Sequence, residues 1–161
     1  VQRCKLQMLR LADPGFRLGA AVVSDLSLLR YGGYAALPQA EALRRRLLRE
    51  QPEALEHGVH LIVVQSADGS LVVGDSHHYG MTPDPFASDV VDELILQEFR
   101  ILFGHAPPVV ARWTGIYSSA ANAAFIDDPH DDVRLVMVTS GTGASTGFAL
   151  GEEVVSQLFG S

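Results

Sequence analysis

RLVMVTSGTGASTG, residues 134–147, is the stretch around which the chain is organised. Leu135, Val136, Met137 and Val138 make a short β-branched and apolar run, the pattern of a buried strand. The run breaks at Ser140 into a loop holding Gly141 and Gly143, then resumes from Thr146 to Phe159 with helical spacing. Leu150, Val154, Val155 and Leu158 share one helical face, and Glu152, Glu153, Ser156 and Gln157 the other. Strand, glycine loop and helix start bring N–H groups and the positive end of a helix dipole to one point. Such a point suits an anion, a carbonyl or the electron-rich edge of a heterocycle. It is not a P-loop, because no Lys-Ser/Thr follows the second glycine. Too few residues follow Gly147 for a dinucleotide fold to continue from it. A tight turn that needs glycine only for its geometry is an equally good reading of the stretch alone.

The rest of the composition sets bounds. With 161 residues, 47% of them hydrophobic, the chain has material for a core and reads as one domain, or one domain with part of a second. No apolar run reaches the roughly 20 residues of a membrane span, and nothing resembles a secretory signal. Cys4 is the single cysteine, which excludes an internal disulfide and a cysteine-based zinc site and points to a cytoplasmic setting. A net charge of −7 argues against nucleic-acid binding. The cluster Arg44-Arg45-Arg46 with Arg49 reads as a solvated helical face or the subunit contact of a homo-oligomer. Opening at Val1 directly into strand-like sequence, the chain reads as a segment of something longer.

In order, residues 3–11 read as a strand, and residues 16–23 and 26–34 as two more. A helix follows Pro38 to about Glu50, where Pro52 stops it. Residues 59–65 and 70–75 flank Asp68-Gly69 and form a hairpin whose strands are apolar enough to be central. Residues 76–80 are a polar loop. Ser88 or Asp89 caps a helix to Phe103 with Val91, Leu94, Ile95, Phe99 and Leu102 inward, and Gly104 ends it. Residues 109–117 are another strand, and residues 127–132 an acidic surface turn. The expected fold is α+β: a mainly antiparallel sheet with two or three helices packed largely on one face.

Two constellations invite chemistry. His77-His78 follows a strand, where loops commonly line pockets. A metal there would need a third ligand from Asp75, His57, His60 or His130, none at a recognisable spacing, and no metal site is expected. In Arg112-Trp113-Thr114-Gly115-Ile116-Tyr117 the tryptophan reads first as core, but a glycine inside a strand marks close approach by a ligand or another backbone. No hydrolase motif is present, so any enzyme chemistry would come from a cofactor.

Gly74-Asp75-Ser76-His77-His78-Tyr79-Gly80, then Arg112-Trp113-x-Gly115, then Val138-Thr139-Ser140-Gly141-x-Gly143 before a terminal helix, resemble one family in order and spacing. It is the superfamily of FAD-dependent amine and amino-acid oxidoreductases that includes D-amino-acid oxidase, glycine oxidase and sarcosine oxidase. The chain resembles its C-terminal, substrate-side portion, and most of all the phosphonate-associated branch, which has a similar Gly-Asp-Ser-His segment. The resemblance implies roles. Ser140, Gly141, Thr142, Gly143, Ala144, Ser145 and Thr146, with Gly115, would face FAD. His77, His78, Tyr79, Trp113 and Tyr117 would line the substrate side. An amine, an amino acid or aminophosphonate, would be oxidised to an imine.

Two departures qualify this. Where many members place an arginine for the substrate carboxylate, two residues after the Trp-x-Gly glycine, this chain has Tyr117, which offers one O–H instead of a planar fork. The family's N-terminal dinucleotide domain is also absent, so it becomes the expected partner. Residues 1–132 would then be a substrate-binding domain, and residues 133–161 a strand–loop–helix completing the FAD domain. Alone the chain would be inactive. The rival readings are a free-standing module that binds a small anion or protein through the Gly141–Gly143 loop, and, last, a metal enzyme using His77 and His78.

Overall fold

Two valine-rich runs about an Asp-Gly turn have one low-energy outcome, an antiparallel hairpin. The computed structural model, which describes residues 1–160, contains it. In chain order the elements are β1 (Gln2–Leu11), β2 (Val22–Val23), α1 (Leu26–Arg30), α2 (Gly32–Ala35), α3 (Ala40–Glu50), α4 (Pro52–Glu56) and β3 (Ile62–Gln65). β4 (Leu71–Gly74), β5 (His78–Gly80), α5 (Asp89–Phe103), β6 (Val109–Ser119), β7 (Ala124–His130), β8 (Val133–Val138) and α6 (Gly143–Phe159) follow. The fold is α+β with mostly antiparallel pairing, as the sequence implied. Helices are more numerous than the two or three expected, because three short ones join α3, α5 and α6.

The chain divides into two compact units. The larger comprises Lys5–His78 and Asp84–Gly115, and the smaller Val1–Cys4, Tyr79–Pro83 and Ile116–Ser161. The expected boundary at 132/133 falls inside the β7–β8 hairpin.

In the larger unit β3 lies between β2 and β4, and β4 between β3 and β1, so both hairpin strands are central as expected. Val63 pairs with Val73, and Leu9 pairs with Val73 from the other side. Leu9, Leu11, Leu61, Val63, Leu71 and Val73 are fully buried, with Leu47 of α3 and Val91, Ile95 and Phe99 of α5. Phe99 and Phe103 stack with centroids 4.5 Å apart. α5 has the predicted extent and ends at Gly104, whose φ of +77° only glycine adopts readily. Leu102, expected inward, is exposed although it shares the Val91–Ile95–Phe99 face, because it stands in the last turn of the helix, just before Gly104.

Residues 26–34 are helical rather than a strand. They contain no β-branched residue, and Leu26 and Leu29, three apart, reach the core together. The strand expected over 16–23 shrinks to Val22–Val23, since Gly19-Ala20-Ala21 has little β preference. Pro52 stops α3 and also opens α4, at the first helical position, where its missing N–H costs nothing. His78–Gly80, expected as loop, forms the short strand β5.

In the smaller unit, β7 and β8 pair antiparallel, with Phe125 opposite Met137. Asp127–His130 belongs to β7, so only Asp131-Asp132 turns. β8 was expected to be buried, yet Leu135 is 51% exposed and Val136 and Met137 are exposed too. A two-stranded ribbon offers its strands neighbours on one edge only, and apolar sequence alone cannot supply a covering layer. On α6 Val154 is buried as expected, but Val155 faces outward. Among the described residues no helix is long and apolar enough to cross a membrane.

Candidate functional site

The β3–β4 hairpin continues one step beyond its strands. The His60 N–H donates to the Asp75 carbonyl at 3.1 Å, and the Asp75 N–H to the His60 carbonyl at 2.9 Å. That exchange sets the two side chains face to face, with His60 Nε2 at 3.0 Å from Asp75 Oδ1. His77 reaches the same carboxylate, Nε2 to Oδ2 at 3.8 Å, and stacks on His60 with centroids 4.8 Å apart. The rings are held from behind. His60 Nδ1 lies 3.1 Å from Ser27 Oγ, and His77 Nδ1 donates to the Gly58 carbonyl at 3.0 Å. Gly58 permits this approach: it has φ +58°, and a Cβ there would stand 2.9 Å from His77 Cβ.

His60 and His77 are both buried. Burial, chiefly, drops the His77 imidazole to about 4 against the opposing pull of Asp75, with further lowering from His60. His78 is less buried and pairs with His57, Nε2 to Nδ1 at 3.0 Å. Desolvation first, then His57 and Lys5, lower its pKa too. The adjacent pair His77-His78 is thus split: one imidazole faces Asp75 and His60, the other His57.

The Arg-Trp-x-Gly segment lies on β6. Arg112 Nε donates to Asp92 Oδ2 at 2.6 Å, and Asp92 Oδ1 also accepts from Gln7 Nε2. Gln7 bridges onward, accepting the Ser88 N–H at 2.9 Å and donating to the Ser88 carbonyl at 2.7 Å. A buried carboxylate held by a guanidinium and an amide is a satisfied polar network, so Arg112 ties β6 to α5. Trp113, read first as core, is 40% exposed. A Cβ on Gly115 would meet only Leu6 Cδ1, at 3.9 Å, so space remains beside it.

In the smaller unit, α6 starts three residues earlier than its apolar periodicity suggested, at Gly143. Thr142 precedes it without a side-chain cap, and its carbonyl accepts from Ser145 Oγ and Thr146 Oγ1, each at 2.9 Å. Ser140 Oγ and Thr142 Oγ1 are 2.7 Å apart. Gly141 has φ +76°, and a Cβ there would meet the Tyr117 ring at 3.2 Å. Tyr117 therefore packs on the glycine loop. Ala144, Ser145 and Thr146 are exposed, while Thr142 and Gly143 are half-buried, so the first turn of α6 is open to an approaching group.

A family model described as "FAD dependent oxidoreductase" matches residues 14–157. The chain belongs to that family. Comparison with curated proteins and with solved structures finds no match. In the first turn of α6 the Ser145 and Thr146 N–H groups donate to the Thr142 carbonyl at 3.1 Å, so what this 17-residue helix offers to the electron-rich edge of a flavin is the positive end of its dipole and the N–H groups ahead of Ser145.

The residues singled out in the sequence fall in both units. His77, His78, Trp113 and Gly115 belong to the larger; Tyr79, Tyr117 and residues 140–146 to the smaller. His77 and His78 are brought close to His60, Asp75 and His57, and Tyr117 to Gly141. Tyr79 is exposed. Sequence reasoning missed Gln7 and Asp92, whose only signal was a polar residue on an otherwise buried face of a strand and of a helix. It also passed over Glu98, buried on α5 and lining a cavity of about 310 Å³ with Glu50, Glu53 and Gln97.

Proposed function

We propose that this chain is the substrate-side and flavin-edge portion of an FAD-dependent oxidoreductase that oxidises a primary or secondary amine to an imine. The observation that carries the reading is the open first turn of α6 in a chain matched to this family over 144 residues, from 14 to 157. FAD, when bound, supplies the two-electron acceptor; the chain supplies the setting. With FAD bound, the N–H groups of Gly143 and Ala144 and the positive end of the α6 dipole would stabilise negative charge developing on the ring, while those of Ser145 and Thr146 stay with the Thr142 carbonyl. In the larger unit, Gly115 leaves β6 without a side chain, and a Cβ there would meet only Leu6 Cδ1 at 3.9 Å, which would suit the approach of a planar group.

Of the residues that the family resemblance implies for the substrate side, His78 and Trp113 belong to the larger unit and Tyr79 and Tyr117 to the smaller. His77, buried and tied to Gly58, positions the segment instead of touching substrate. Tyr117 takes the place where related oxidases clamp a carboxylate with arginine. A single phenolic O–H recognises a planar carboxylate poorly, which favours an amine whose acidic group is different, an aminophosphonate above all.

The sequence contains no Gly-x-Gly-x-x-Gly for the FAD pyrophosphate. The reading therefore includes a separate dinucleotide-binding domain as partner. The test is to purify the protein together with the coding sequence upstream of Val1 and screen amino acids against aminophosphonates. A yellow protein bleached anaerobically by an aminophosphonate is the expected result. A colourless protein that binds a small anion unaided overturns the reading in favour of a free-standing module.

A further inference from the structure

We propose that His60, Asp75 and His77 form a binding site for one divalent transition-metal ion of the zinc class. The proposal goes beyond the flavin reading and does not rest on it.

Three ligand atoms of the right chemistry converge. His60 Nε2, His77 Nε2 and an oxygen of Asp75 all lie within 4.8 Å of one another. Bonds of about 2.0–2.2 Å to nitrogen and oxygen set neighbouring ligands of a tetrahedral ion roughly 3.3 Å apart. His60 Nε2 lies 3.0 Å from Asp75 Oδ1 and His77 Nε2 3.8 Å from Asp75 Oδ2, and with the whole set within 4.8 Å, shifts of up to about 1.5 Å seat an ion. Two imidazoles and one carboxylate are a set that zinc takes in sites retaining an exchangeable position.

The outer shell is built as such sites require. An imidazole that binds metal through one nitrogen is oriented through the other, by a carbonyl, hydroxyl or carboxylate. Ser27 Oγ does this for His60 Nδ1, and the Gly58 carbonyl for His77 Nδ1. Both holders sit on the Nδ1 side, so both Nε2 atoms aim at Asp75. Asp75 Oδ1 is buried and accepts no hydrogen bond of good geometry. A buried carboxylate oxygen facing imidazole nitrogens is costly without a cation beside it, and a divalent ion supplies that charge.

Sequence alone did not favour this, because His60 and the Asp75–His77 pair stand on opposite arms of the hairpin with no motif spacing. Register brings them together.

The test uses the 161-residue chain, stripped with a chelator and then titrated with Zn²⁺ by calorimetry and with Co²⁺ by visible absorption. One equivalent of each is expected, with the visible bands of four- or five-coordinate cobalt and a melting temperature that rises with added Zn²⁺. Asp75→Asn and His77→Ala should abolish uptake, whereas His105→Ala and His130→Ala should leave it intact. Ser27→Ala, which removes only an outer-shell holder, should weaken affinity about 10–100-fold. Failure of the unmodified chain to take up a stoichiometric metal overturns the proposal, as does full uptake by Asp75→Asn. Flavin content plays no part in these readouts, so the result is independent of the function proposed above.

Discussion

β4 and β8 have nearly the same sequence character, Leu-Val-Val in one and Leu-Val-Met-Val in the other, and opposite fates. In β4, Leu71 and Val73 are completely buried, between β3 and β1 in the sheet and under α5. In β8, Leu135, Val136 and Met137 are all exposed, with β7 as partner. The helices repeat the contrast. Phe99 of α5 is sealed in the core, whereas Phe148 of α6 is 95% exposed. An apolar run is a request for burial, and whether it is met depends on how many layers the rest of the chain brings to it.

The sharpest way to break this comparison is a pair of identical truncations. Phe99→Ala should cost about 3–5 kcal/mol and Phe148→Ala no more than about 0.5 kcal/mol, by urea denaturation of the chain. Equal losses would mean that α6 is covered after all. Gly58→Ala comes next. A methyl group there strains a positive φ and meets the His77 backbone, so a loss of about 1–3 kcal/mol is expected, with weaker protection of the His77 amide in hydrogen exchange.

Glu98 sharpens the comparison through pH. Burial, helped by the charge of Asp25, pushes its carboxyl up to about 7 from an ordinary 4.5. The folded state therefore holds this proton more tightly than the unfolded one. Its contribution is complete below the unfolded pKa and is lost as pH rises through about 7. Glu98→Gln should gain on the order of 1–2 kcal/mol near pH 8 relative to the unmodified chain and almost nothing near pH 4. Melting curves at the two pH values decide it. The smallest effect belongs to Leu135→Ser, which should change stability by less than about 0.5 kcal/mol and lower the tendency to associate, read by light scattering.

Much of the fold was legible because it is local. Asp68-Gly69 dictated a hairpin, Ser88 and Gly104 bounded α5, and the 3.6-residue period of Val91, Ile95 and Phe99 chose its inner face. Residues 26–34 read as strand in the sequence and fold as helix, because leucine is apolar in either structure and only the absence of β-branched residues tells against a strand. The site was partly legible. The glycine loop ahead of α6 and the two adjacent histidines were visible, but His77 and His78 looked equivalent, and the Asp92 anchor of Arg112 was not visible at all.

By itself the sequence determined the α+β class, the hairpin, the extents of α3 and α5, and the family resemblance carried by three separated motifs. These rest on short-range sterics, turn chemistry and periodicity, which need no knowledge of distant neighbours. Only tertiary structure decided which apolar strands are buried, that His60 meets Asp75 and His77, and that Tyr117 covers Gly141. Each of those is a contact between residues far apart in the chain, and its position depends on register and packing that no local pattern encodes.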